Sequence, residues 1–324
     1  MQRYAAETRV QEGLNVIVLT DRSSDSEARL LPDAGNNLFL FSSAGQEIIK
    51  TPISLHRLRE DRSAATRYGT PILFPPNRIQ DGMFTFKGRN YRFPLTEPPE
   101  YHLHGELVSR AWEVVAYGSS EEEGAWVTSR LQYADHPDIL AYYPHPLTFA
   151  ITYRLLDGKL QMDSTIKNEG TDEAPFFYGL HPYFSIPAAL ENSTTLHIPA
   201  VEEWPATDKA FVTGMPSDTA LSQAMRSGFP LASYPKLGCS MLTLDPESDA
   251  ICRFKLPAYS IAYQVDKQFP FVLLFSPSWN ESFSIEPYTY LTDAFNLPYS
   301  PDLTGAQGIV AGEERCLRTS LWVE

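Results

Sequence analysis

The chain is poor in cysteine: Cys239, Cys252 and Cys316 are the only three in 324 residues. Their odd number and wide spacing argue against a disulfide framework and against a zinc cluster, and each reads as an ordinary buried thiol. Long apolar runs are missing too, so no segment is expected to span a bilayer. Met1 to Val10 carries Arg, Glu and Gln instead of the apolar stretch of a signal peptide, which makes the cytoplasm the expected compartment. Positive charge is scarce: 26 Lys and Arg stand against 40 Asp and Glu, a formal net charge of -14. That balance opposes binding to nucleic acid or to an anionic membrane and favours a neutral or cationic small molecule. Long helices are disfavoured because 26 prolines are scattered along the chain.

What remains is short, strand-like sequence. Leu14 to Thr20, Leu38 to Ser42, Trp112 to Tyr117 and Ala125 to Leu131 read as strands, with Glu121-Glu122-Glu123-Gly124 as a solvated tip between the last two. Met83 to Phe86 and Tyr91 to Phe93 are predicted to pair through Lys87-Gly88-Arg89. Leu147 to Leu155 and Lys159 to Lys167 alternate apolar and polar residues around Asp157-Gly158, the strongest hairpin signal in the chain. Pro187 to Leu237 lacks periodicity and reads as long loops carrying one or two short strands, of the kind that border sites. Strand character returns at Ile251 to Leu256, Ser260 to Val265, Phe271 to Ser276 and Ser282 to Ile285. Many short strands must stack two sheets to bury their apolar faces, so the expected fold is all-β: one large antiparallel β-sandwich over residues 1–324.

Three polar clusters interrupt this pattern: Tyr101-His102-Leu103-His104-Gly105, Gly179-Leu180-His181-Pro182-Tyr183-Phe184 and Ile285-Glu286-Pro287-Tyr288-Thr289. They supply histidines and a carboxylate for proton transfer, and aromatic faces suited to a sugar-sized ligand. His102 and His104 alternate, so on a strand they leave one face. Two readings follow. One is a metal pair of the kind cupin barrels use, completed by His181 and by Glu106 or Glu113. The other is a site in which one of the two meets the substrate and His102 is hydrogen-bonded beside it. His181, held extended by Pro182, fits a functional or a buried structural histidine equally. Glu286, taken alone, reads as a glutamate at a strand end. Asn77 and Arg78 follow a proline stop and offer several donors to hydroxyls, or form a surface turn. His56, Arg57, Arg59, Arg62 and Arg67 make a local basic patch fit for a phosphate, although Glu60 and Asp61 favour a compensated, exposed loop.

Taken in order, these segments resemble the aldose 1-epimerase (galactose mutarotase) family. The match runs through Pro71 to Ile79 with Gly82, His104-Gly105 followed by Trp112, Asn168 to Pro175, Gly179 to Phe184, Glu286 to Thr289, and Thr292-Asp293-Ala294-Phe295-Asn296. The resemblance implies a galactose mutarotase-like sandwich with its site on a concave sheet face. It implies interconversion of the α and β anomers of a free aldose, with no metal and no organic cofactor. It makes Glu286 the general base, His181 the general acid and His104 a hydrogen-bonding group near the ring oxygen. Arg78, Asn77, His102 and Tyr183 become substrate-binding residues, and the protein is expected as a monomer or homodimer. Two departures stand out. The family's hydroxyl-binding aspartate is absent from Leu237-Gly238-Cys239-Ser240-Met241-Leu242-Thr243, where Asp245 is out of register, and Tyr288 replaces a common tryptophan. A non-catalytic sugar-binding or sensing module and a hexose-6-phosphate mutarotase are therefore the alternatives.

Overall fold

Apolar residues on alternating positions organise the chain into two large antiparallel sheets. The computed structural model describes residues 2–324. One sheet runs from the edge strand Tyr4–Gln11 through Leu14–Asp21, Ser26–Leu31, Asn37–Ser43 and Gln46–Lys50 to Tyr183–Ser185, Ser282–Tyr288, Phe271–Phe275, Cys239–Leu244 and Ala200–Trp204. The other is built on Glu113–Ser120, Gly124–Gln132, Leu147–Leu156, Lys159–Asn168, Glu314–Val323, Ser260–Val265 and Ile251–Lys255, with Thr195–His197 and Phe229–Pro230 at its far edge. The main core lies between the sheets, where Phe41, Phe149, Ile151, Phe184, Phe254 and Ile285 are fully buried. Such interdigitated inner faces are what holds a sandwich together.

The strand Leu14–Asp21 is apolar nearly throughout because both its faces are covered. Ile17 and Leu19 enter the main core, while Leu14, Val16 and Val18 meet Leu55, Leu58 and Ala64 of two short helices, Leu55–Glu60 and Arg62–Ala65, in a second cluster. Ser54 and Asp61 start these helices by accepting backbone N–H bonds. The basic patch is thus helical, not a loop. Arg57 and Arg59 lie on its outside beside Asp61 and Glu60, whereas Arg62 and Arg67 turn towards the first sheet.

The Asp157-Gly158 hairpin forms in the expected register, with Leu155 opposite Leu160 and both turn residues at positive φ, 52° and 74°. The second hairpin closes on Lys87-Gly88, with Met83 opposite Arg92. Between residues 187 and 237 the structure adds the helix Ala220–Ser227, whose Thr219 and Ser222 form a reciprocal capping box. The thiols also divide: Cys252 is buried, Cys239 lines a cavity and Cys316 is exposed. Among the described residues no helix is long and apolar enough to cross a membrane.

Candidate active site

The strand Ser282–Tyr288 carries polar groups where a central strand normally buries apolar ones. Ser284, Glu286 and Tyr288 alternate onto one face, and Phe283 and Ile285 point the other way into the core. Its neighbour is interrupted: Gly179–Leu180 pairs at Tyr288, and Tyr183–Ser185 pairs at Ser282 to Ser284. Both pieces keep one register, which continued across the gap sets His181 opposite Glu286. Pro182 and Pro287 each remove a ladder donor from that stretch. The His181 N–H instead reaches Pro71 O on the other side, at 3.0 Å. His181 and Glu286 are therefore a cross-strand pair, brought together by register.

The pair sits at the floor of a cavity of about 370 Å³, at the small end of the range of small-molecule sites. Leu273 and Phe275, opposite Glu286 and Ser284 on the next strand, continue the floor, and Cys239, opposite Phe275, extends it. The walls come from Asn77, Arg78, Glu97 and His104 on one side and from Arg62 and Arg67 on another.

Each group at the floor has a defined hydrogen-bond role. The Ser284 hydroxyl donates to Pro182 O at 2.8 Å, leaving its oxygen to accept from His181 Nδ1 at 2.8 Å. Proton bookkeeping then places the neutral ring's hydrogen on Nδ1. Nε2 faces the Tyr183 hydroxyl at 3.1 Å and Glu286 Oε1 at 3.2 Å, and the Tyr183 ring stacks on the imidazole at 4.4 Å. Although close, Nε2 and Oε1 are out of line for a hydrogen bond, so Oε1 is buried without a partner among the described residues. Oε2 accepts from the Tyr288 hydroxyl. Burial drives both partners towards their neutral forms. It pushes Glu286 well above the usual carboxylate range, against the Tyr288 hydrogen bond and the Arg78 charge, and takes His181 down to about 3.

His104 is held differently. It follows the strand Tyr101–Leu103 at φ 62°, and Gly105 follows at φ 65° where a Cβ would lie 1.9 Å from Phe74 O. His104 Nδ1 accepts the Asn77 backbone N–H at 3.2 Å, and the His104 backbone N–H donates to Asn77 O at 3.0 Å. The ring's hydrogen is consequently on Nε2. Burial, followed by the nearby positive charges, keeps its pKa well below the ordinary value. His104 is thus a neutral donor facing the cavity.

The alternation expected for His102 and His104 fails because His104 has left the strand. His102 is fully buried away from the cavity, bonded through Nδ1 to Pro94 O at 2.7 Å and packed on Phe93. It is not placed to bind substrate. Nor do Glu106 and Glu113 complete a metal site with the histidines, since Glu106 reaches towards Arg110 at 3.3 Å and Glu113 bonds Arg130 at 2.7 Å. Asn77, Arg78, His104, His181, Tyr183 and Glu286 do line one cavity. Arg78 is oriented by a bidentate bond to Glu97, at 2.5 and 3.0 Å. Asp293, from the last motif, lies elsewhere and ties down the hairpin region through Gln80 N and Asn296.

Sequence reasoning missed Glu97, Asp208 and Trp279. Asp208 enters the cavity wall from the loop after Ala200–Trp204. No local pattern marks it; only the pairing of that strand beside Cys239–Leu244 brings its loop to the site.

Comparison with known proteins agrees with this architecture. The profile of the family described as aldose 1-epimerase matches residues 51–315. The chain is 30% identical over 132 residues to the uncharacterized protein YihR of Escherichia coli K12, a match spanning 40% of each chain. It is 22% identical over 264 residues to YphB of the same organism, 78% of this chain and 83% of the relative. Among solved structures, a galactose mutarotase-like protein from Clostridium acetobutylicum superposes with a TM-score of 0.90 at 20% identity, over 99% of both chains. A galactose 1-epimerase from Lactobacillus acidophilus gives 0.77 at 14% identity, over 99% of this chain and 98% of its own.

Proposed function

The chain belongs to the aldose 1-epimerase family, and on that premise we propose that it is a cofactor-independent mutarotase in which Glu286 and His181 act as the acid–base pair. The observation that carries this reading is the cross-strand pair itself: two buried titratable groups, 3.2 Å apart, at the floor of a sugar-sized cavity. The two oxygens that exchange protons in mutarotation, the anomeric hydroxyl and the ring oxygen, are attached to the same carbon. An acid and a base serving both can therefore stand close together, as Glu286 and His181 do.

With one titratable proton between them, the two groups form a neutral pair when it is on the carboxyl and an ion pair when it is on Nε2; no hydrogen bond joins them directly. The ionic form is the working one. The Glu286 carboxylate takes the proton of the C1 hydroxyl while His181 Nε2–H protonates the ring oxygen, and the C1–ring oxygen bond breaks to an open-chain aldehyde. Rotation about C1–C2 presents the other carbonyl face. The ring-derived hydroxyl then attacks C1, giving its proton back to His181 as Glu286 returns its proton to the carbonyl oxygen. The Tyr288 and Ser284 hydrogen bonds favour the charged forms that burial resists. A C1 hydroxyl donating to Glu286 Oε1 satisfies an acceptor whose orphaned burial costs about 1–3 kcal/mol. His104 Nε2–H supports the ring oxygen, Arg78 and Asn77 orient hydroxyls, and Asp208 supplies a hydroxyl-binding carboxylate from a loop unlike the one in which the family usually carries it.

Anomer exchange followed by saturation-transfer NMR tests the assignment. Glu286→Gln and His181→Asn are each expected to lower kcat/KM by about 10²–10⁴-fold with the thermal transition retained. Full activity in either folded variant overturns the mechanism, and saturable sugar binding without rate enhancement in the wild type replaces it with a binding or sensing role.

A further inference from the structure

We infer that Arg62 is a positioning residue for the acid–base site: its guanidinium clamps the left-handed turn that presents His104 to the cavity, and its effect on the reaction passes through that ring. The inference rests on the mutarotase reading, which gives His104 its task at the ring oxygen.

His104 and Gly105 stand in succession at φ 62° and 65°. A histidine keeps that backbone only where its surroundings impose it, and two sides do so here. On one side is the segment 74–77: Gly105 bridges to Phe74, and His104 exchanges two hydrogen bonds with the Asn77 backbone. On the other is Arg62, which begins the short helix Arg62–Ala65. Its Nη2 donates to Leu103 O and to Gly105 O, both at 2.7 Å. These are the carbonyls immediately before and after His104, so one nitrogen ties both ends of the turn. The Thr96 hydroxyl steadies the first of them, accepting Leu103 N–H at 2.7 Å and donating to Leu103 O at 3.2 Å. The helix cannot retreat, because Asp61 caps it and Ala64 and Ala65 seat it in the two apolar clusters.

The arrangement holds a cation where a neutral donor would be easier to bury. Arg57, Arg59, Arg110 and Arg130 all form ion pairs, whereas Glu106, the acid whose charge reaches Arg62, is turned towards Arg110. A half-buried guanidinium compensated by carbonyl dipoles is a costly anchor, and its charge has a use. His104 Nδ1 accepts the Asn77 N–H only while it carries no proton. The titratable and charged groups that face the ring are His181, Arg78, Arg62 and His102; after burial, each of them opposes the proton that would evict this bond. Arg62 thus fixes the turn by its donors and protects the Nε2–H form of the ring by its charge.

The test measures anomer exchange of glucose and galactose, and the 15N spectrum of the histidine rings against pH, on wild type, Arg62→Gln, Arg62→Lys, His104→Gln and the double variant Arg62→Gln with His104→Gln. The spectrum of His104→Gln assigns the His104 ring. Expected is a fall in kcat of about 10- to 100-fold in Arg62→Gln with KM little changed, partial recovery in Arg62→Lys, and a double variant no slower than His104→Gln alone. The His104 ring of Arg62→Gln takes up its proton at higher pH than in wild type, because a facing positive charge is gone. Losses that multiply in the double variant, or a loss confined to KM, overturn the inference, since Arg62 then acts on the sugar itself. An unaltered His104 titration in folded Arg62→Gln overturns it as well. Should Arg62→Gln not fold, Arg62→Lys alone and with His104→Gln decides by the same non-additivity. Absence of anomer exchange in wild type refutes the mutarotase reading, and the ring titration still decides whether Arg62 holds His104.

Discussion

At the scale of single residues, the site is a problem of proton placement. Glu286 and His181 are each held away from the charged form by burial, so the fraction of pairs in the ionic state depends on the hydrogen bonds that oppose it. Tyr288 provides one such bond to Glu286 Oε2. Tyr288→Phe keeps the ring and removes the donor; kcat/KM is expected to fall about 10- to 100-fold across the pH range, mainly in kcat, because the ionic population shrinks. A loss confined to KM would instead mark Tyr288 as a packing residue. The motifs around these residues were legible in the sequence because Glu286, His181 and His104 each stand beside a proline or glycine that fixes local geometry. Asp208 and Glu97 were not, since they reach the cavity only through pairings between distant segments.

At the scale of elements, hairpins and strand faces followed from local rules, and what escaped prediction was decided by coverage. Asp157-Gly158 encodes its turn in two residues, and the flanking strands alternate on schedule. The strand Tyr4–Gln11 carries little apolar signal because it is an edge with much of its surface exposed, and Ala220–Ser227 hides its helix behind a composition that favours loops. Its capping box is the signal that was available. Thr219→Ala is expected to cost about 1 kcal/mol, read as a lower thermal midpoint with anomer exchange intact. Gly105→Ala should behave in the opposite way: its Cβ clashes with Phe74 O, so the turn that aims His104 must move. Activity then falls more than the loss of stability explains, and a thermal scan beside the exchange assay separates the two.

At the scale of the whole molecule, the sandwich stores several histidines in neutral form. Burial takes His102 and His145 down to about 4, against about 6.5 in an unfolded chain. A group whose folded pKa is depressed contributes its stability above the unfolded value and loses it as pH falls. Between about pH 6.5 and 4 the unfolded chain takes up protons that the folded one refuses, so unfolding becomes easier. His102 is the clean probe because it is buried away from the cavity; its share is on the order of 3 kcal/mol by pH 4. Denaturant titrations from pH 7 to 4 should show the decline. His102→Gln, which keeps a donor for Pro94 O but cannot titrate, should flatten it, and an unaltered slope would remove His102 from the account.

The alternation along Ser282–Tyr288 has a consequence for how such a protein can change. Glu286, Ser284 and Tyr288 are alternate teeth on one side of a single pleat, and His181 hangs from the facing strand in matching register. Inserting one residue upstream in that strand exchanges the teeth for Phe283, Ile285 and Pro287 in a single step, and deleting one brings in Ile285, Pro287 and Thr289. The set is inherited or lost as a block: intermediate forms with a partly shifted set are not available to drift, whereas the cavity walls, drawn from separate segments, are free to vary one side chain at a time.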